Sequence, residues 1–307
     1  RHLGNLTTVL GEQTWQFVHT LDLLSRTTAD DFRGQFSGKR PHSDGELSRR
    51  LEQRLGVLPG VRMLAVADPR GNAVLHIPAF PGPALNVADR EHFQVHLERR
   101  LERLYIGAPV VGRMTNEWLD VFSYRVEDER GGFRGVVLLA VAMTHIQKLF
   151  GAIDLGDGGR VLLFRDDGVL LATHPPEEQA YGRSFAGDSL FRETLPAELS
   201  GVHRRAGILD RQARIIAHVR LNGYPLVVAV SSAEDFALAP WRSDAWRIGA
   251  GAVGVIAFVA AVLFFLMLQL RVSAGLRHDL DEAGQRLHGI IQAAMDAIIT
   301  VDGKQTV

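Results

Sequence analysis

The stretch "REHFQVH" (90–96) carries Arg90, His92 and His96. A guanidinium offers a planar two-donor fork that suits a carboxylate. Histidines four apart share one face of a helix and can hold a metal, although the glutamate of H-E-x-x-H is absent and no third ligand is evident. The competing readings are structural: Arg90 pairing with Asp89 or Glu91, and histidines that line a pocket or sit at the surface. Tyr105 and Tyr124 could offer hydroxyls to a ligand, or be strand residues with satisfied hydroxyls. His174, before two prolines, reads as a loop residue, and Asp166 and Asp167 read as turn residues that bond their own backbone. There is no G-x-S-x-G, no P-loop lysine and no carboxylate pair distinguishable from surface charge, so no catalytic constellation emerges. The absence of cysteine excludes disulfides, thiolate zinc sites and a cysteine nucleophile. No cofactor signature is found.

One glycine pattern needs a decision. Gly249-Ala250-Gly251-Ala252-Val253-Gly254 is a G-x-G-x-x-G. A dinucleotide fingerprint follows a strand and opens an amphipathic helix. Here the preceding "EDFALAPWRSDAWR" is charged, and residues 248–270 are 23 positions without charge. At about 1.5 Å per residue they span roughly 35 Å, enough for a hydrocarbon core of about 30 Å. The stretch therefore reads as a transmembrane helix, with Ala250 and Gly254 as a small-xxx-small pair for a second helix. Arg271, Arg277 and Arg286 follow it, against Arg242 and Arg247 before it, which puts residues 1–247 outside and 271–307 in the cytoplasm. A missing upstream transmembrane helix is expected, because the outer part must be exported.

The elements that must position these side chains follow from periodicity. Leu3, Leu6, Leu10, Phe17, Leu21 and Leu24 step by 3, 4, 7, 4 and 3, a long amphipathic helix. A second, short helix ends at Gly56. "VRMLAVADPRGNAVLHIP" and "GRVLLFRDDGVLLATHP" each read as strand, Asp/Gly turn, strand, a plausible internal repeat between 61–78 and 159–175. "ADREHFQVHLERRLERL" reads as helical, and Thr144 as the cap of a helix over "THIQKLFGAI". "YIGAPVVGR", "WLDVFSYRVED", "GGFRGVVLLAVAM", "VHRRAG", "ARIIAHVRL" and "YPLVVAVSSAED" read as strands. After the span, Leu276, Leu280, Ala283, Leu287, Ile290 and Ala294 step by 4, 3, 4, 3 and 4, a heptad seam that points to a two-stranded stalk and a homodimer. A net charge of −1 gives no field for nucleic acid.

The order of "DREHFQVH" (89–96), "IGAPVVGRMTNEWLDVFSYRV" (106–126), "GGFRGVVLLAVAMTHIQKLF" (131–150) and "GGRVLLFRDDGVLLATHP" (158–175) resembles the double Cache (PDC-type) sensor domains of bacterial receptors. The likeness covers roughly residues 1–240. "LHGIIQAAMDAIITVDGKQTV" (287–307) is similar to the entry helix and first strand of a PAS domain. The resemblance implies an α+β fold, a long N-terminal helix with two stacked mixed α/β sheets, followed by one membrane helix and a helical stalk. Its divisions would be a helix over 1–40, a membrane-distal subdomain over 41–150, a membrane-proximal one over 151–240, the span at 248–270, a signalling helix at 271–288 and a PAS start at 289–307.

The family implies a small-molecule ligand in the distal sheet. Aligned on Arg90, the family's amino-acid motif meets Leu85, His92 and Phe93 where aromatic residues would stand, and Met143 and Thr144 where an acid would. Arg90 alone keeps the match and suits a carboxylate. His92, Phe93, Tyr105, Arg113, Trp118 and Tyr124 would share the site, with Trp118 as core the alternative. The implied output after the PAS segment is first a diguanylate cyclase, in cyclic-di-GMP signalling, with a sensor histidine kinase of a two-component system as the alternative. The rival readings are a ligand-free dimerising scaffold and a tethered extracellular enzyme.

Overall fold

The computed structural model describes the backbone of residues 2–36, 44–56, 58–79, 85–113, 115–153, 155–156 and 158–302. Its helices are α1 (His2–Phe36), α2 (Asp44–Gly56), α3 (Glu91–Glu98), α4 (Met143–Gly151), α5 (Leu195–Ala197) and α6 (Glu234–Asp302). The strands are β1 (Val61–Ala67), β2 (Ala73–Ile77), β3 (Tyr105–Ile106), β4 (Val110–Val111), β5 (Trp118–Glu127), β6 (Phe133–Ala142), β7 (Arg160–Arg165), β8 (Leu170–His174), β9 (Ser200–Ala206), β10 (Ala213–Arg220) and β11 (Leu226–Ala233). Internal contacts divide the chain into Arg1–Leu238 and Ala239–Val307.

The first unit holds two sheets of the same plan. One runs β2-β1-β6-β5-β3 with β4 also on β5, the other β8-β7-β11-β10-β9, and the pairings within both are antiparallel. The two strand–turn–strand stretches, β1–β2 and β7–β8, occupy matching edges, as a repeat requires. α1 runs against β5, β6, β9, β10 and β11. Its apolar stripe buries Leu10, Val18, Leu21 and Leu24. Thr14, Ser25 and Thr28 on the same side donate to carbonyls four residues back, so they ask nothing of the sheets. At Gly11 a Cβ would stand 2.7 Å from Val219 Cγ1; glycine lets the helix reach β10.

Alternation along the first sheet separates two cores. Leu64, Val66, Phe122, Val126, Val137, Leu139 and Val141 face the α1 side. Ala65, Ala67, Leu119, Val121, Val136, Leu138 and Ala140 face the other way, with Phe93 of α3 packed on them. α3 has only eight residues and this face carries three alanines, so one short helix leaves part of it open.

Three local expectations are corrected. The helix around "EHFQVHL" stops at Glu98, because Arg99 is extended and Leu104 and Ile106 are drawn into the α1-side core. α4 starts at Met143 with Ala142 as its cap, so Thr144 is not the cap. His174 ends β8, not a loop, and its ring lies against Gly151.

The second unit is helical. Asp244–Arg271 is long and apolar enough to cross a membrane, with 0% of its most apolar window buried. Gly249, Gly251 and Gly254 are mid-helix, with nothing packed on them. The strand expected within 289–307 is helix as far as Asp302, since a strand needs a partner ladder and none is described beside it. Residues 303–307 lie outside the described residues. Of the heptad seam, Leu287 and Ile290 are exposed, and the side chains of Leu276, Leu280, Ala283 and Ala294 lie outside the described residues.

Candidate functional site

The open part of the first sheet is a cavity of about 910 Å³, counting its mouth. Its floor is Leu119 and Val121 of β5 and Leu138 and Ala140 of β6. The walls are Arg62 and Met63 of β1, Leu85, Val87, Arg90 and His92 around the start of α3, and Val110, Val111, Gly112, Arg113 and Thr115 around β4. The interior is apolar and three guanidinium groups stand around it.

Two of the three are committed. Arg113 donates to Asp89 Oδ2 at 2.6 Å and to the Asn86 carbonyl at 3.1 Å. That first bond holds the Asp89 carboxyl below its usual range. Arg62 lies 3.3 Å from Glu117 Oε2. Arg90, the N-cap residue of α3, caps nothing with its side chain and makes no side-chain hydrogen bond or ion pair among the described residues. His92 beside it is buried, and burial first, then the Arg90 charge, push its pKa down to about 4. The site thus offers one fixed cation and one neutral imidazole over apolar walls. It can fix a carboxylate at one end and bury a small apolar body at the other.

The other expected residues are placed elsewhere. Phe93 is in the core beneath α3, edge-on to Phe133 at 6.0 Å. His96 is turned from the cavity and shares a 2.9 Å hydrogen bond with Ser123 Oγ. Strand parity carries Trp118 and Tyr124 away, because Leu119 and Val121 between them face the cavity. Trp118 donates to Glu178 Oε2 at 3.3 Å and meets Tyr181 edge-on. Tyr124 lies under Arg26 at 5.7 Å. The apolar floor and walls were missed from sequence; the small residue Ala140, on the face shared by Leu138, is the trace they leave there.

Tyr105 joins a second feature, on the far side of α3. Its hydroxyl donates to Glu91, which also accepts from the Ala108 N–H at 3.3 Å. Arg165 of β7 reaches this point from the second sheet. It lies 3.3 Å from Glu91 Oε1, donates to the Ile106 carbonyl at 3.0 Å and pairs with Asp167 at 2.8 Å. Burial pushes the Glu91 carboxyl up, but the bonds from Tyr105 and Ala108 and the Arg165 charge outweigh it and hold it below its ordinary value. Arg165 is only 13% exposed. Arg165→Ala should cost about 2–4 kcal/mol, since it orphans the Ile106 carbonyl and leaves two carboxylates facing each other. Urea unfolding checks this, and Arg165→Lys should recover part of the loss; equal stability of all three proteins would contradict it.

A family model described as a histidine kinase sensor domain, of the double Cache type, matches residues 143–231. The solved extracellular domain of rpHK1S-Z16, assigned as a histidine kinase, is 30% identical, with a TM-score of 0.67 over 78% of this chain and 96% of that one. The ligand-binding domain of the Pseudomonas aeruginosa amino acid chemoreceptor PctB, solved with L-Arg, is 18% identical at a TM-score of 0.58, over 78% and 96% of the two chains. The periplasmic sensory domain of the Campylobacter jejuni chemoreceptor Tlp1 is 13% identical at 0.59, over 76% and 94%. The last two show the fold alone. None of the curated protein sequences matches the chain.

Proposed function

Because the chain belongs to the double Cache family of sensor domains, we propose that it is the sensory part of a membrane-anchored receptor that binds a small carboxylate-bearing molecule beside Arg90. The observation that carries this is a guanidinium with no partner among the described residues, at the edge of an apolar cavity. The Asp244–Arg271 helix supports the anchoring. With residues 1–247 outside and 271–307 in the cytoplasm, the signal would leave through α6, and its exposed Leu287 and Ile290 fit a dimeric stalk. The sensor-kinase descriptions of the matching family and of the 30%-identical relative favour a histidine kinase output over a diguanylate cyclase.

A ligand transmits only if it binds one state of the sensor better than another. α3 is suited to make that difference. Arg90 and His92 face the cavity, while Glu91 between them is held by Arg165 of the second sheet. β7 pairs with β11, whose last residue precedes α6. A ligand that repositions the start of α3 would strain or relax the Glu91–Arg165 link. A coupling of about 1–3 kcal/mol is the usual scale.

The test is thermal unfolding of the full chain in detergent micelles against carboxylates, amines, amino acids and nucleobases. A ligand at 100 times its Kd adds about 2.7 kcal/mol. A carboxylate should raise the melting temperature, and Arg90→Ala should abolish the shift while changing the unliganded protein by less than about 0.5 kcal/mol. If no compound of the panel shifts the melting point, the ligand-free scaffold takes its place; a shift by amines or nucleobases alone overturns the carboxylate assignment.

A further inference from the structure

The second sheet carries a cluster that the cavity does not explain. His203 of β9 and His218 of β10 are one diagonal step apart: His203 opposes Ile216 and His218 opposes Gly201, so both rings emerge on one face. The rings lie 5.7 Å apart and nearly parallel, at 22°. Glu198, just after α5, turns back over the start of β9 and is hydrogen-bonded to His203. Gly201 makes this possible. A Cβ there would stand 2.8 Å from His203 Nε2 and 2.8 Å from Glu198 Cδ.

Two further observations point to a ligand. One nitrogen from each ring and one Glu198 oxygen lie within 4.8 Å of one another. His218 is 2% exposed, yet neither ring nitrogen has a hydrogen-bond partner among the described residues. A buried imidazole with both nitrogens unmet is costly unless something supplies a contact.

We propose that Glu198, His203 and His218 form a binding site for a divalent transition metal of the zinc class. Two imidazole nitrogens and one carboxylate oxygen are the donor set such ions take, leaving a fourth position open. Magnesium and calcium prefer all-oxygen sites and are poorly served. The cation would take the place of the hydrogen bond between His203 and Glu198: the neutral imidazole ligates through one ring nitrogen and carries its proton on the other. Tetrahedral zinc needs donors roughly 3.3 Å apart, an adjustment that the half-buried His203 and Glu198 can make around the buried His218. The nearby cation Arg205 is already paired with Asp188 at 2.8 Å. The site would also reach α6, because Arg204 beside His203 pairs with Glu234 in its first turn.

The experiment uses the full chain in detergent micelles with any affinity tag removed. Zinc uptake is measured by equilibrium dialysis with elemental analysis, and Co(II) is added as a spectroscopic probe. Wild type should take up one zinc per chain and give the intense visible absorption of tetrahedral Co(II). His203→Ala changes a half-buried side chain and should weaken binding by on the order of 100-fold or more, a ligand loss being at least as severe as losing its outer-shell partner. His218→Gln should do the same, with circular dichroism confirming its fold. No uptake, a preference for calcium or magnesium, or equal uptake by wild type and His203→Ala would each overturn the proposal.

Discussion

Acidification from pH 6.5 to about 4 is expected to remove on the order of 5 kcal/mol of stability through His92 and His96. Both are buried, at 6% and 0% exposure, and both have pKa values pushed down from 6.5 to about 4. Burial is the largest cause in each. Arg90 adds to it at His92, with Glu91 and Asp89 opposing; Arg125 and His92 add to it at His96, with the Ser123 contact opposing. In the unfolded chain each ring takes up a proton near pH 6.5; in the folded one it does not until about pH 4. Their contribution is therefore complete above pH 6.5 and falls with pH, at up to about 1.4 kcal/mol per unit for each ring. A domain has about 5–15 kcal/mol to lose. Urea unfolding at half-unit steps from pH 7 to 4.5 measures the slope, and His92→Leu should reduce it by that ring's share, up to about 1.4 kcal/mol per unit. A slope that His92→Leu leaves unchanged would show that this ring is already charged in the fold. The same physics touches the ligand: a carboxylate beside Arg90 favours protonated His92, so its affinity should rise as the pH falls.

The sequence reading recovered what periodicity encodes. The 3-and-4 spacing of Leu3 to Leu24 marked α1, the alternation around "DPRG" and "DDG" marked matching hairpins, and the uncharged run at 248–270 marked the apolar segment. It failed where tertiary contacts decide. "LERRLERL" has helical spacing, but Leu104 and Ile106 contribute more buried in the α1-side core than on a longer α3. For the site, Arg90, His92 and Arg113 were legible because their chemistry is rare. Trp118 and Tyr124 required strand parity, which a run such as "WLDVFSYRV", apolar at both parities, does not display. The Glu198–His203–His218 cluster was illegible, because it depends on the β9–β10 register and on one glycine making room.

Asp120 is expected to act in the opposite sense to the histidines. It lies on β5 at 1% exposure, and neither carboxyl oxygen has a partner among the described residues. Around it are Thr14, Phe17 and Val18 of α1, Ile146, Leu149 and Phe150 of α4, and Leu163, Leu171 and Leu226 of the second sheet. Burial pushes its pKa well above the usual 3.8. The fold therefore keeps a proton that the unfolded chain gives up. This contribution is fully present below pH 3.8 and is lost as pH rises through the folded pKa, at about 1.4 kcal/mol for each unit over which the acid stays protonated. Asp120→Leu should stabilise the protein, by about 1–3 kcal/mol from the unmet polar group alone at low pH, and by more at neutral pH. Asp120→Asn keeps the polar cost but removes the titration, so its gain over wild type should be near zero at pH 4 and grow towards pH 7. It should also steepen the acid loss caused by the histidines. If Asp120→Asn is destabilising by the same amount at every pH, the carboxylate has a partner that outweighs its burial. If the gain grows with pH, a costly acid persists at the point where the strand carrying Leu119 and Val121 meets α1.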